Sequence, residues 1–90
     1  MRGEQWEEYE TAVLVILRSL GWEYERIRHT WSAFFTNRTE SSLRGKIASF
    51  RETTSLYDPL ARTWRPDEIH AWIDELDISQ TQKDYCHQLL

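Results

Sequence analysis

Glycine, proline and cysteine are scarce in this chain, whose 90 residues include three Gly, two Pro and one Cys. So few glycines exclude a glycine-rich phosphate-binding loop, which needs several of them close together. The single thiol, that of Cys86, excludes an internal disulfide framework and fits a reducing compartment. A chain of this length forms one domain, and without disulfides its stability depends on its hydrophobic core.

Long hydrophobic runs are lacking as well. The longest, from Ala12 to Leu17, has six residues, whereas a membrane-spanning helix needs about 20. The first residues, Met-Arg-Gly-Glu-Gln-Trp-Glu-Glu, contain no apolar signal core. We therefore expect an intracellular protein that is not secreted and has no membrane partner.

Groups that could support catalysis or metal binding are few and badly spaced. The three histidines and Cys86 follow no zinc-ligand spacing. Cys86 and His87 are adjacent, and adjacent side chains on a helix point about 100° apart, which prevents a nucleophile–base pair. The sequence therefore predicts no catalytic residue, no metal, no cofactor and no small-molecule substrate, and we expect a protein that is not an enzyme.

Positive charge is also in deficit, since the net charge is −4. The deficit is uneven along the chain. Residues 37–56 contain four basic and two acidic side chains, whereas residues 57–90 contain three basic and seven acidic ones. Only the middle of the chain could therefore bind a polyanion.

Aromatic residues are plentiful, with five Trp, four Tyr and three Phe. Each large ring buries much more area than an alanine or valine, so this content can fill a core built from short helices. Helical spacing places Trp6, Trp31 and Trp72 on inward faces. We interpret these three as core residues.

The first half of the chain has the periodicity of three helices. The first is predicted over Gln5–Leu20, with a glutamate-rich first turn, and Gly21 ends it. The second is predicted over Glu23–Phe35. The third is predicted over Glu40–Glu52, with Thr39 as its N-cap and an inward face of Leu43, Ile47 and Phe50.

The second half of the chain predicts one or two further helices. Residues 53–65 are interpreted as a connector, with Asp58-Pro59 as a turn signal, and Pro66 begins a fourth helix. A fifth helix is predicted to begin with either Asp77 and Gln80 or Ser79 and Gln82 as its capping pair. The fourth helix has an apolar stripe at i, i+3, i+4 and i+7, formed by Ile69, Trp72, Ile73 and Leu76. We expect this stripe to pack on the first three helices.

Several short motifs occur in the order found in one helical family. They are Trp6-Glu7-Glu8, Leu20-Gly21, Tyr24 with Ile27, and Asn37-Arg38-Thr39. In this order and spacing, residues of about 5–52 resemble the Myb/SANT family of three-helix domains. The resemblance implies an all-α, homeodomain-like bundle over residues 1–55, in a nuclear protein linked to transcription or chromatin. Residues 56–90 would then be a connector and a helical extension.

In DNA-binding members of that family the third helix lies in the major groove of DNA. By position, the resemblance implies that Arg44 and Lys46 are the principal DNA contacts and that Arg38 and Arg51 contact phosphates. Three differences from the family are visible, and one is the acidic C-terminal pair of helices, which is not part of the basic family pattern. The interval from Ile27 to Arg38 is about 4 residues longer, roughly one helical turn, and Gly45 stands where DNA-binding members often have Asn.

Three other interpretations remain open. SANT-type relatives often bind histone tails or other chromatin proteins, and an acidic surface would suit a basic tail. The candidates are Glu4, Glu7, Glu8 and Glu10 with Asp74, Glu75 and Asp77. Alternatively, the stripe of Ile69, Trp72, Ile73 and Leu76 would bind a partner helix or a second copy if it did not fold back. The third helix could also be a core helix with an ordinary solvated face.

Overall fold

The fold is all-α, as the sequence predicted, with one very short two-stranded sheet. It is given by a computed structural model that describes residues 5–90. In chain order the elements are α1 Glu8–Ser19, α2 Tyr24–Trp31, α3 Glu40–Thr53, β1 Tyr57–Asp58, β2 Thr63–Trp64, α4 Pro66–Glu75 and α5 Gln80–Leu89.

Helix α1 lies at the centre of the molecule. Every position from Glu10 to Leu17 is buried, although a helix at the surface of a small domain usually buries one face. The run of apolar residues makes this possible, because Leu14 and Val15 extend the apolar surface around the helix. Helices α2, α3, α4 and α5 all contact α1. The core is therefore a layer of four helices around one central helix.

The end of α1 is set by Gly21, as predicted. Gly21 has a φ of 89°, its N–H donates to the carbonyl of Arg18, and the N–H of Trp22 donates to the carbonyl of Leu17. These two bonds form the Schellman motif, in which a left-handed residue ends the helix. The chain then reverses direction into α2.

The N-caps of α3 and α5 are also as predicted. The Thr39 hydroxyl accepts the N–H of Ser42 at 3.0 Å. At α5, the Ser79 hydroxyl accepts the N–H of Gln82, and the Gln82 side chain accepts the N–H of Ser79. Of the two capping pairs that the sequence allowed, Ser79 with Gln82 is the one that forms.

Helix α2 ends at Trp31, four residues before the predicted end at Phe35. The segment beyond it is a tight turn, in which the N–H groups of Phe34 and Phe35 both donate to the carbonyl of Trp31. The turn places the Phe35 ring 4.8 Å from that of Trp31 and 5.5 Å from that of Tyr9. Aromatic packing thus replaces the last predicted helical turn.

The predicted connector contains a β-hairpin. Tyr57 pairs with Trp64 and Asp58 pairs with Thr63. At its tip the Asp58 carboxylate accepts the N–H groups of Leu60 and Ala61 at 3.0 and 3.2 Å. The bond from Ala61 is the main reason that the pKa of Asp58 is below its usual range; burial opposes it, and the bond from Leu60 and the charge of Arg65 add to the lowering. Strands of two residues are too short to give a periodic signal in the sequence.

Helices α4 and α5 pack on the first three helices. Ile69, Ile73 and Cys86 are fully buried, and Leu56 joins them in the core around α1. Trp72 and Leu76 are half-buried against the same core. The stripe of Ile69, Trp72, Ile73 and Leu76 thus folds back on the core, as expected, and the condition for its alternative role in partner binding, that it did not fold back, is not met.

Candidate nucleic-acid interface

Helix α3 turns one face inward and leaves the other in solvent. Leu43 and Ile47 are buried, and the ring of Phe50 lies 5.4 Å from that of Trp72 in α4. Eight residues of α3 are exposed, and all of them except Thr53 form what we call the outer face of α3: Ser41, Arg44, Gly45, Ala48, Ser49, Arg51 and Glu52. Because these residues are exposed with α4 and α5 in place, the C-terminal helices do not cover the outer face.

Arg44 lies on the outer face as expected, with 59% of its side chain exposed. Its guanidinium donates two hydrogen bonds to one Glu40 oxygen, at 2.7 and 3.0 Å. An exposed ion pair one turn apart on a helix is worth only about 0–1 kcal/mol. The pair therefore orients the Arg44 side chain but binds it only weakly, and a phosphate could displace the Glu40 carboxylate.

Aromatic rings hold the cations around this surface, which the sequence interpretation did not foresee. The Tyr24 ring contacts two guanidinium groups, that of Arg18 at 4.2 Å and that of Arg44 at 4.5 Å from the ring centre. Arg26 lies 3.6 Å from the ring of Trp22. The i, i+4 spacing of Trp22 and Arg26 could have indicated their contact. The contacts of the Tyr24 ring join α1, α2 and α3, so no local pattern in the sequence indicates them.

Lys46 and Arg51, two further predicted DNA contacts, lie at opposite edges of α3. Lys46 is half-buried, and its ammonium lies 5.7 Å from the ring centre of Trp6. Arg51 is exposed, and its guanidinium lies 4.8 Å from the Tyr57 ring in β1. Cation–π contacts of this kind reduce the mobility of a long side chain while the charge remains accessible.

Arg38 is the exception among the four predicted DNA contacts. Its Nε and Nη2 atoms donate to the two carboxylate oxygens of Glu10 at 2.9 and 3.0 Å, and Nη2 also donates to the Gln5 carbonyl. Its guanidinium lies 3.9 Å from the Trp6 ring. Both charged side chains are more than nine-tenths buried. The expected phosphate contact of Arg38 is therefore wrong, because its guanidinium is buried and bonded to the Glu10 carboxylate.

Gly45 lies in the middle of the outer face without a structural need for glycine. A Cβ atom there would meet nothing within 4 Å, and among the described residues only Gly21 is a glycine with positive φ. A mid-helix glycine costs about 1 kcal/mol relative to alanine. Together with Ser41, Ala48 and Ser49 it makes the centre of the outer face shallow, so another surface can approach the helix closely.

A second charged surface lies elsewhere on the molecule. The Glu8 carboxylate accepts the N–H of Asp77 at 3.1 Å, which brings the start of α1 beside the turn between α4 and α5. Glu7, Glu8, Asp74, Glu75 and Asp77 are exposed, and we call them the acidic edge. Glu10 does not belong to it, because it is buried with Arg38, and Glu4 lies outside the described residues.

The described residues give little support to other kinds of site. Across residues 5–90, no three or more His, Cys, Asp or Glu side chains are grouped so that they could hold a metal ion. No helix in that range is long and apolar enough to cross a membrane. Burial raises the pKa of the Cys86 thiol to about 11, so little reactive thiolate is present at neutral pH.

Comparison with other proteins adds no identification. Models of known protein families, curated proteins and solved structures were each compared with the chain, and none of the three comparisons found a match. The functional interpretation therefore depends on the geometry of the outer face and of the acidic edge. Membership of the Myb/SANT family remains an expectation from the sequence.

Proposed function

We propose that this chain is a non-enzymatic, Myb/SANT-like domain of the nucleus that binds duplex DNA through the outer face of α3. The observation that supports the proposal is the exposure of this face. Arg44 and Arg51 lie in solvent on α3, while α4 and α5 pack on α1. A basic helix with a free outer face is the element that such domains place against DNA.

The dimensions of the outer face suit the major groove. That groove is about 12 Å wide and admits an α-helix. Arg44 and Arg51 are seven positions apart, which corresponds to about 10 Å along the helix axis. Between them, Gly45 and Ala48 keep the helix surface low, so that the backbone of α3 can approach the bases while the arginines reach guanine edges or phosphates.

The affinity of such a contact is limited by its charge. Arg44, Lys46 and Arg51 can neutralise about three phosphates, and each phosphate contact changes the slope of log K against log salt by about 0.9. This number of contacts gives weak binding that falls steeply with salt. The domain would therefore act beside a second DNA-binding domain or as a self-associated pair.

Charge-removal variants test the proposal by titration of duplex DNA at several salt concentrations. Arg44→Ala and Arg51→Ala should each weaken binding and lower the salt slope by about 1. Arg62→Asn is the matched control, because it removes one charge from the hairpin loop and Asn tolerates the φ of 58° found there. A native chain that binds no duplex at low salt, or equal losses in all three variants, would contradict the proposal.

Glu40→Gln provides an opposite test on the same face. The Glu40 carboxylate accepts both hydrogen bonds from Arg44, so its removal leaves the guanidinium free for phosphate. Binding of DNA should become tighter, whereas Glu75→Gln, which makes the same charge change on α4, should alter it less. Equal effects of the two variants would show that net charge, and not the outer face, controls binding.

The acidic edge supports a second candidate, a protein-interaction module of chromatin that binds a basic segment such as a histone tail. The bond between Glu8 and Asp77 assembles carboxylates from two ends of the fold into one surface. Binding of a lysine-rich peptide should weaken in Glu8→Gln, which keeps the bond to Asp77 but removes the charge. Titration of the purified protein with the peptide measures this, and unchanged affinity would exclude the acidic edge as the binding surface.

A further inference from the structure

Two imidazoles and a carboxylate form a chain between α4 and α5. Nδ1 of His70 lies 2.7 Å from Nδ1 of His87, and Nε2 of His87 lies 2.7 Å from Oδ1 of Asp74. His70 and Asp74 are one turn apart on α4, and His87 is on α5. The chain therefore ties the two C-terminal helices together at their facing surfaces.

The two rings meet edge to edge. They are 12° from parallel with centres 5.0 Å apart, but their Nδ1 atoms are only 2.7 Å apart. Rings stacked face to face keep their atoms about 3.5 Å apart or more. The rings therefore lie in nearly one plane with the two nitrogens facing each other, which is the geometry of an N–H···N hydrogen bond.

The positions of the protons follow from the chemistry of the three groups. A carboxylate can only accept, so Nε2 of His87 donates to Asp74. In the neutral pair, Nδ1 of His87 has no proton and accepts from Nδ1–H of His70. A first added proton can bind to Nε2 of His70 without breaking either hydrogen bond. A second must go to Nδ1 of His87, where two hydrogens would face each other across 2.7 Å.

We propose that the Asp74–His87–His70 chain is an acid-sensitive clasp. It holds α5 on α4 while a single proton lies between the two Nδ1 atoms, and it releases α5 when each Nδ1 atom carries a proton. The contact thus has two states that differ by a single proton, the requirement for a pH switch. Release of α5 would uncover the part of the core to which Cys86 belongs.

The charged groups that face the clasp have opposite signs. On α5, the Lys83 ammonium donates to the Asp74 carbonyl, which brings a positive charge to the same turn of α4. On α4, Asp74 is the carboxylate in direct contact, but it is 64% exposed and its charge is partly screened by water. From α1, which packs on both helices, Glu8 is bonded to Asp77, and Tyr9 has a pKa raised by burial and then by Cys86 and Tyr85.

The sign of the pH dependence follows from the count of protons. Because histidine gains its charge in mild acid, the open state there can hold an added proton on each imidazole, whereas the closed state can hold only one added proton on the pair. The equilibrium then moves toward the open state by up to about tenfold for each pH unit of acidification. Above the titration range both states bind equal numbers of protons, and the clasp is insensitive to pH.

The buried thiol of Cys86 can report the opening of α5. The rate of its reaction with 4,4′-dithiodipyridine, divided by that of glutathione at the same pH, measures exposure apart from thiol ionisation. In the native chain this ratio should rise by up to about tenfold per pH unit below pH 6. His70→Gln should remove the rise, because the Gln amide can offer its N–H to a neutral Nδ1 of His87 or its oxygen to a protonated one, and should protect Cys86 as well as the native chain does at pH 7.5.

His29→Gln is the control, because His29 is an exposed residue of α2 and its ion-pair partner, Glu25, lies in the same helix. It should keep the native rise. A flat ratio in the native chain, or an equal rise in His70→Gln, would overturn the proposal. If His70→Gln does not fold, nuclear magnetic resonance of the native imidazoles provides the test. The proposal requires the signal of the shared Nδ1 proton to disappear in the same pH range in which the Cys86 thiol becomes reactive.

Discussion

At the scale of single residues, arginines of the same segment have different roles. Arg38 and Arg44 are six positions apart, and each is paired with a glutamate. Arg38 is buried against Glu10 of α1, whereas Arg44 is exposed and paired within its own helix. Burial makes the difference, because a buried charge without its partner is costly and an exposed one is solvated by water.

This difference predicts unequal effects on stability. Arg38→Met leaves the Glu10 carboxylate buried and unpaired, and should lower the free energy of unfolding by about 3–5 kcal/mol. Arg44→Met removes an exposed pair and should cost about 0–1 kcal/mol. Urea denaturation measures both, and a second substitution, Glu10→Leu, should restore much of the loss in Arg38→Met. Similar losses in the two single variants would contradict the burial argument.

At the scale of elements, the helix ends are determined by local chemistry that can be read along the chain. Gly21, Thr39 and the pair of Ser79 with Gln82 each satisfy backbone groups within about five residues of themselves. This short range explains why the start of α3 was predicted correctly and why Ser79 with Gln82 was one of the two capping pairs predicted for α5. Helix α1, in contrast, begins at Glu8, three residues after its predicted start at Gln5. The end of α2 was missed because the turn after Trp31 is held by rings from α1 and α2 together.

The two structurally described glycines predict opposite results for one substitution. Gly21→Ala places a side chain at a φ of 89° and should lower the free energy of unfolding by about 1–2 kcal/mol. Gly45→Ala lies in regular helix with open space around it and should raise that free energy by about 1 kcal/mol. Chemical denaturation of both variants checks the pair. A loss in Gly45→Ala would show that glycine has a structural role in α3.

At the scale of the whole molecule, the chain has one core with two unlike surfaces. Residues from both predicted segments, 1–55 and 56–90, share that core, since Leu56, Ile69, Ile73 and Cys86 pack with the residues of α1. The outer face of α3 is on one element, and the acidic edge joins α1 to the turn before α5. A net charge of −4 therefore describes neither surface by itself, and each has to be judged by its own residues.

The sequence by itself determined where the helices lie, how most of them begin and end, and which residues are apolar. Those features depend on periodicity and caps, whose physical range is one or two helical turns. Only the tertiary structure decided the burial of Arg38, the edge-to-edge contact of His70 with His87 and the location of the stripe on α4. Arg38 and Glu10 are 28 positions apart and the two histidines are 17 apart. Contacts over such separations depend on how whole helices pack, and no local pattern of residues encodes them.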